Sequence, residues 1–172
     1  MVQGSRSNGA SSSREYGITF ELAPPIAVRP GTRFTLPVIV AVRPVGNTTG
    51  AVQQLVMNAS LRNEAGTAPA AGLTGTLTSS VRSRNGNTTS GYARFSPLSI
   101  AAPGRYRIRI MLGAASAGGV TTRAYVDSGV IHVHAGAAPG QRPTPAQVTK
   151  LQGLVAENID ITAADIAAWQ RA

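Results

Sequence analysis

The chain has 172 residues, 42% of them hydrophobic, which is enough for one domain with a real core and short for two. Its charge of +9 comes from 15 Arg and one Lys against seven acids, and with no Cys a disulfide, a thiolate metal site and a cysteine nucleophile are all excluded. No run approaches the roughly 20 apolar residues of a membrane helix and residues 1–14 lack a hydrophobic signal region, so a soluble, intracellular protein without a membrane partner is expected.

Aromatic residues make up only 5% while Gly and Pro number 19 and 11, so the core should be built from Val, Ile, Leu and Ala between frequent turns. Residues 1–15 are rich in Ser, Gly and Arg and read as a disordered basic arm. Strand signals follow at 18–22, 33–42, 54–62, 73–84, 92–95, 105–112 and 129–135, punctuated by Pro30-Gly31, Gly46-Asn47, Ala65-Gly66, Asn85-Gly86 and Pro103-Gly104. Seven short strands with this punctuation predict an all-β sandwich over 16–136.

Period two tells which face each strand buries. In 33–42, Phe34, Leu36, Val38 and Val40 oppose Ile39 and Ala41, and Pro37 predicts a position near a sheet edge. In 73–84, Leu73, Leu77 and Val81 share one face, with Arg82 and Arg84 on the other. Burial forbids a two-residue Asn85-Gly86 hairpin, because it would set Leu77 against Arg94; a loop with an odd number of residues or a bulge near Asn87, pairing Leu77 with Phe95, is expected instead. In 105–110, Tyr106, Ile108 and Ile110 point in while Arg105, Arg107 and Arg109 point out.

After Gly136 the pattern changes. Residues 137–143 form a Pro/Gly linker, and Thr144-Pro145-Ala146-Gln147 opens a helix with an N-cap, Pro at N1 and a capping-box Gln. Val148, Leu151 and Val155 fall on one stripe of it. A second short helix begins at Thr162 with Asp165 completing its cap, Ile161 placed to staple Ile166, and Trp169 one turn further. The apolar face of this helical C-terminal tail, 137–172, must dock either on its own sandwich or on a partner chain.

The middle of the chain resembles the velvet domain of fungal regulatory proteins. The resemblance rests on Leu73-Thr74-Gly75 leading to Ser79-Ser80, then on Phe95-Ser96-Pro97-Leu98-Ser99-Ile100 running into Gly104-Arg105-Tyr106-Arg107-Ile108-Arg109. The 126–133 stretch with its Asp127-Ser128 entry is similar to the family's closing strand, and Ala23-Pro24-Pro25-Ile26 to its proline cluster. The resemblance spans 18–135 and implies an immunoglobulin-like β-sandwich of the Rel type, homodimers or heterodimers with another velvet-like protein, double-stranded DNA as a partner, and nuclear control of development or secondary metabolism. One departure bears on DNA: Phe20-Glu21-Leu22 passes straight to Ala23-Pro24-Pro25, so the family's basic loop between these points is nearly absent and its residues are not carried over.

From the residues themselves, Arg105, Arg107 and Arg109 stand about 6.6 to 6.8 Å apart along a strand, close to the spacing of successive phosphates, and a guanidinium fork suits phosphate oxygens. Arg82, Arg84 and Arg94 on neighbouring strands would extend this to a basic sheet face, and Arg29, Arg33 and Arg43 flank the proline cluster as an alternative contact set. The same arginines also fit a solvated face that deters edge pairing. Val148, Leu151, Val155, Ile161, Ile166 and Trp169 are the candidate partner-binding residues of the tail. His132 and His134 share a strand face near Asp127, but a metal needs a third ligand and no metal or cofactor is assigned. No Gly-x-Ser-x-Gly elbow, phosphate-binding glycine loop or His-Glu-x-x-His occurs, so an enzyme is not expected.

The sequence therefore predicts a dimerising, DNA-contacting regulatory module in the nucleus or cytoplasm. The rival is an immunoglobulin-like protein- or carbohydrate-binding module without DNA binding. It would be secreted and glycosylated at Asn47, Asn58 and Asn87, each of which opens an Asn-x-Ser/Thr triplet.

Overall fold

Alternating residues that hide every second side chain need a second apolar face to hide against, and the chain supplies it by folding into sheets that share one core. The computed structural model describes residues 16–44, 54–82, 91–116, 119–157 and 159–171. Its strands are β1 (Tyr16–Leu22), β2 (Ala27–Val28), β3 (Val38–Pro44), β4 (Gln54–Asn63), β5 (Pro69–Ala70), β6 (Leu73–Gly75), β7 (Thr78–Ser80), β8 (Gly91–Phe95), β9 (Leu98–Ile100), β10 (Gly104–Ser116), β11 (Gly119–Asp127) and β12 (Ile131–Val133). Two helices close the chain, α1 (Pro145–Leu154) and α2 (Ala163–Arg171), with a 3-10 turn at Val155–Glu157 between them. The protein is thus mostly β with two short C-terminal helices.

The larger sheet is organised on β10. On one side β10 pairs antiparallel with β4, and on the other with β11 over its second half and β12 over its first. Strand β2 adds to β12 in parallel, and β5 and β7 add to β4. A three-stranded sheet runs β1-β3-β8, and β6 pairs with β9. Val38, Val40, Val42, Ala93 and Phe95 of the three-stranded sheet meet Leu55, Met57, Leu61, Ile108, Ile110 and Leu112 of the larger one, while Leu98 and Ile100 of β9 fill the end. Fully burying each of these side chains other than Ala93 stabilises the fold by about 1.5–3 kcal/mol before entropy is subtracted.

Three strand expectations are corrected. First, the 33–42 stretch is a strand only from Val38, and β3 is the centre of its sheet rather than near an edge. Pro37 stands just outside the ladder, where its missing N–H costs nothing. Leu36, freed from the strand, packs on the opposite side from Phe34 and Val38.

Second, 73–84 is not one strand zipped to β8. Leu73–Gly75 pairs with β9, Thr78–Ser80 pairs with β4, and only Arg82 bridges to Tyr92. Leu77 lies opposite neither Arg94 nor Phe95; its carbonyl accepts from Ala59 N–H at 2.8 Å. Gly75 makes the crossover: its φ is 118°, and a Cβ there would fall on the Pro97 carbonyl oxygen. The expected bulge near Asn87 lies outside the described residues.

Third, β10 runs on to Ser116 and turns back as β11, a strand absent from the sequence reading. Its residues, with Gly113, Ala114 and Ala115 facing Val120, Thr121 and Thr122, carry too little contrast between faces for alternation to stand out.

The tail docks on its own body. Thr144 caps α1: its hydroxyl accepts from Gln147 N–H at 3.2 Å, and its own N–H donates to Gln147 Oε1 at 2.9 Å. Thr162 and Asp165 make the same reciprocal pair at 3.1 Å each way. Leu151, Leu154, Ile159, Ile161 and Ile166 bury themselves on Leu22 and Ile39, the outward side of the three-stranded sheet, with Val148 and Trp169 at the rim. The linker is fastened too: Arg29 Nε donates to Ala137 O at 2.7 Å, and Thr35 N–H donates to Gln141 Oε1 at 2.8 Å.

Candidate polyanion-binding face

With Ile108, Ile110 and Leu112 committed to the core, period two turns Arg105, Arg107 and Arg109 onto the outer face of the larger sheet, as expected. The register of the neighbouring strands then decides what each guanidinium meets. Arg109 is opposite Asp127 on β11, Arg107 is opposite Arg62 on β4, and Arg105 is opposite His132 on β12.

Arg109 is locked. Its Nε and Nη2 donate to the two oxygens of Asp127 at 2.7 and 3.0 Å, Nη2 also reaches Gly66 O at 3.1 Å, and the guanidinium carbon sits 4.1 Å from the centre of the Tyr125 ring. The Asp127 hydrogen bond holds its pKa above the ordinary arginine value, more than offsetting partial burial. Such a fork, closed on a carboxylate and stacked on a ring, has little left for an external phosphate. Arg107 is half committed, donating from Nε to Glu64 O at 2.6 Å and from Nη1 to Ser128 O at 2.9 Å.

The other two are not committed in this way. Arg105 is exposed. Arg62 carries a buried Nε with no hydrogen-bond partner, although it stands directly across from the like charge of Arg107. Like charges directly opposite each other destabilise a sheet, and an unsatisfied charged donor costs more than an unsatisfied neutral one. An anion resting between Arg62 and Arg107 would relieve both costs. Arg62 was missed in the sequence because it ends its strand beside Asn63, and only the β4 to β10 register sets it next to Arg107.

His132 and His134 lie beside Arg105, their ring centroids 4.2 Å apart and tilted by 31°. Burial first, then the charges of His134 and Arg105, lowers the His132 pKa below its usual value. Among the described residues, no group of three or more His, Asp or Glu could hold a metal ion.

The remaining candidates are elsewhere. Arg94 sits on β8 of the three-stranded sheet, paired with Ile39, and Arg82 stands beside that strand, so neither extends the β10 face as expected; the 73–84 stretch follows β4 and β9 instead. Arg84 lies outside the described residues. Arg29 and Arg33 are exposed on the segment that leaves β2, and Arg43 is exposed at the far end of β3 opposite Gly17. Of the partner-binding candidates, Leu151, Ile161 and Ile166 are buried by the chain's own sheet and Val148 and Trp169 border them. Val155 is 39% exposed, because the helix ends at Leu154, which takes the buried place, and the 3-10 turn swings Val155 outward.

No helix among the described residues is long and apolar enough to cross a membrane. No family model matches the chain, and no curated protein matches it. Leu73, Thr74 and Gly75 pair with Ile100, Ser99 and Leu98, so these two segments are hydrogen-bonded neighbours.

Proposed function

We propose that the protein is a velvet-like regulatory module whose basic outer sheet face binds the phosphate backbone of duplex DNA. The observation that carries this reading is the Arg62 and Arg107 pair, two like charges in register with one guanidinium nitrogen buried and unsatisfied, next to the exposed Arg105. Phosphate contacts of this kind position a protein without reading sequence. The finer fold in this reading is an immunoglobulin-like sandwich. It is supported by the core shared between the sheets and by Tyr106 at the start of β10, whose hydroxyl donates to Ala102 O and Pro103 O at 3.1 Å each. A tyrosine that reaches back to the backbone a few residues upstream is a recurrent device of such sandwiches.

Titrating a fluorescent duplex at several salt concentrations tests it. Three guanidinium contacts should give a slope of log K against log salt of about −3. Arg62→Gln and Arg105→Gln should each make the slope shallower by about 1, whereas Arg109→Gln should lower stability and leave the slope alone. No binding at about 20 mM salt would sink the reading. The dimer that belongs to it is read from the solution mass, and a monomer at every concentration removes that half.

A further inference from the structure

A second polar site lies away from the basic sheet face. Beside β7, β8 and the turn between the helices, an open cleft of about 300 Å³ is lined by Thr76, Thr78, Ser79, Ser80, Arg82, Arg94, Ile159 and Asp160. Its donors are not equivalent. The Thr76 hydroxyl donates to Ser96 O at 3.0 Å and the Thr78 hydroxyl to Asn58 Oδ1 at 2.9 Å, while Ser79 Oγ accepts from Arg94 N–H at 3.3 Å. Arg94 Nε, by contrast, is buried without any hydrogen-bond partner. Arg82 and Ser80 are exposed at the mouth. A charged donor held out of water and left unsatisfied is costly, and an oxyanion in the cleft beside the Arg94 guanidinium would offset that charge.

A carboxylate also lines the cleft. Asp160 is the one non-glycine residue with positive φ among those described, at 62°, and this left-handed turn brings Ile159 and Asp160 to the rim. A carboxylate lining the same small cleft as two guanidiniums accepts only from donors, so it suits a ligand that also carries hydroxyls. We infer that this cleft binds a small phosphate monoester of a polyol, with the phosphate on Arg82 and Arg94 and a ligand hydroxyl donating to Asp160. The volume is at the small end of ligand pockets, which limits the ligand to a few carbons beyond its phosphate.

Glycerol 3-phosphate and inorganic phosphate, titrated separately into the full chain, are the probes. The arginine Nε–H signals in nitrogen-15 NMR and calorimetry are the readouts. Glycerol 3-phosphate should shift the Arg94 Nε–H signal saturably, and Arg94→Gln and the surface change Arg82→Gln should each weaken binding by about tenfold or more. Inorganic phosphate should bind about fivefold more weakly, and Asp160→Ala should abolish that difference. Arg62→Gln should leave both titrations unchanged, which separates this site from the DNA face. Absent saturation, undiminished binding in Arg94→Gln, or equal affinity for the two probes would each overturn the inference.

Discussion

Ser128 is the buried polar residue of the described core, 4% exposed, and its bonds explain why a hydroxyl is kept there. Its Oγ accepts from Ile108 N–H at 3.0 Å and donates to Gly129 O at 2.7 Å, while its own N–H donates to Ile108 O at 2.9 Å. Ser128→Ala should cost about 1–3 kcal/mol in urea unfolding, since it strands a buried N–H rather than deleting an apolar contact; a change below about 0.5 kcal/mol would show that water takes over the bond. His132 gives the second residue-scale prediction. Its pKa in the folded chain lies below 6.5, the usual value. Between that lowered pKa and 6.5 the unfolded chain binds more protons, so stability is present above pH 6.5 and is lost as pH falls below it. His132→Gln should flatten this decline in a series of melts. The outward set of Arg105, Arg107 and Arg109 was legible from alternation alone. Their fates were not, because Asp127 reaches Arg109 only through β11 and Arg62 reaches Arg107 only through the β4 register.

At the scale of elements, the caps of both tail helices could be read from Thr144, Gln147, Thr162 and Asp165, since capping is local chemistry. The surface they cover could not be read locally, yet β3 held the clue. Ile39 points away from Val38 and Val40, and a strand apolar on both sides needs something on its second face. The tail is that cover. Removing 137–172 should therefore expose Leu22, Ile39 and Tyr92 and destabilise the body, rather than release an independent partner-binding arm. A milder probe is Ile166→Ala, expected to cost about 2–4 kcal/mol because Ile166 is 3% exposed in this second core. Trp169, the single tryptophan, borders that core, so its emission should shift to the red in the same denaturant range in which the tail undocks. Coincidence of the fluorescence and circular dichroism transitions would mean that tail and sheets unfold as one unit.

Over the whole molecule, sixteen Lys and Arg face seven acids, and salt bridges join Arg109 with Asp127 and the more exposed Lys150 with Glu21. A folded chain of this length has a radius of gyration of about 16 Å, whereas the unfolded chain spreads the same charge over more than about twice that radius. Folding thus concentrates like charge, and salt should relieve it: the screening length falls from about 30 Å at 0.01 M to about 8 Å at 0.15 M. Ion pairs oppose this trend, but Lys150 and Glu21 are 3.8 Å apart on the surface and contribute at most about 1 kcal/mol. Arg109 and Asp127 are partly buried, with side chains 15% and 24% exposed, and are screened less. Repulsion should therefore win, and the melting temperature should rise by a few degrees between about 0.01 and 0.15 M NaCl. Arg62→Gln should raise it at low salt and shrink the salt dependence, because that substitution removes the like charge across from Arg107. The same substitution is expected to weaken the hold on DNA, so stability and binding should move in opposite directions at this one position. If Arg62→Gln lowers the melting temperature instead, Arg62 is held by contacts within the fold and the face is not poised for an anion.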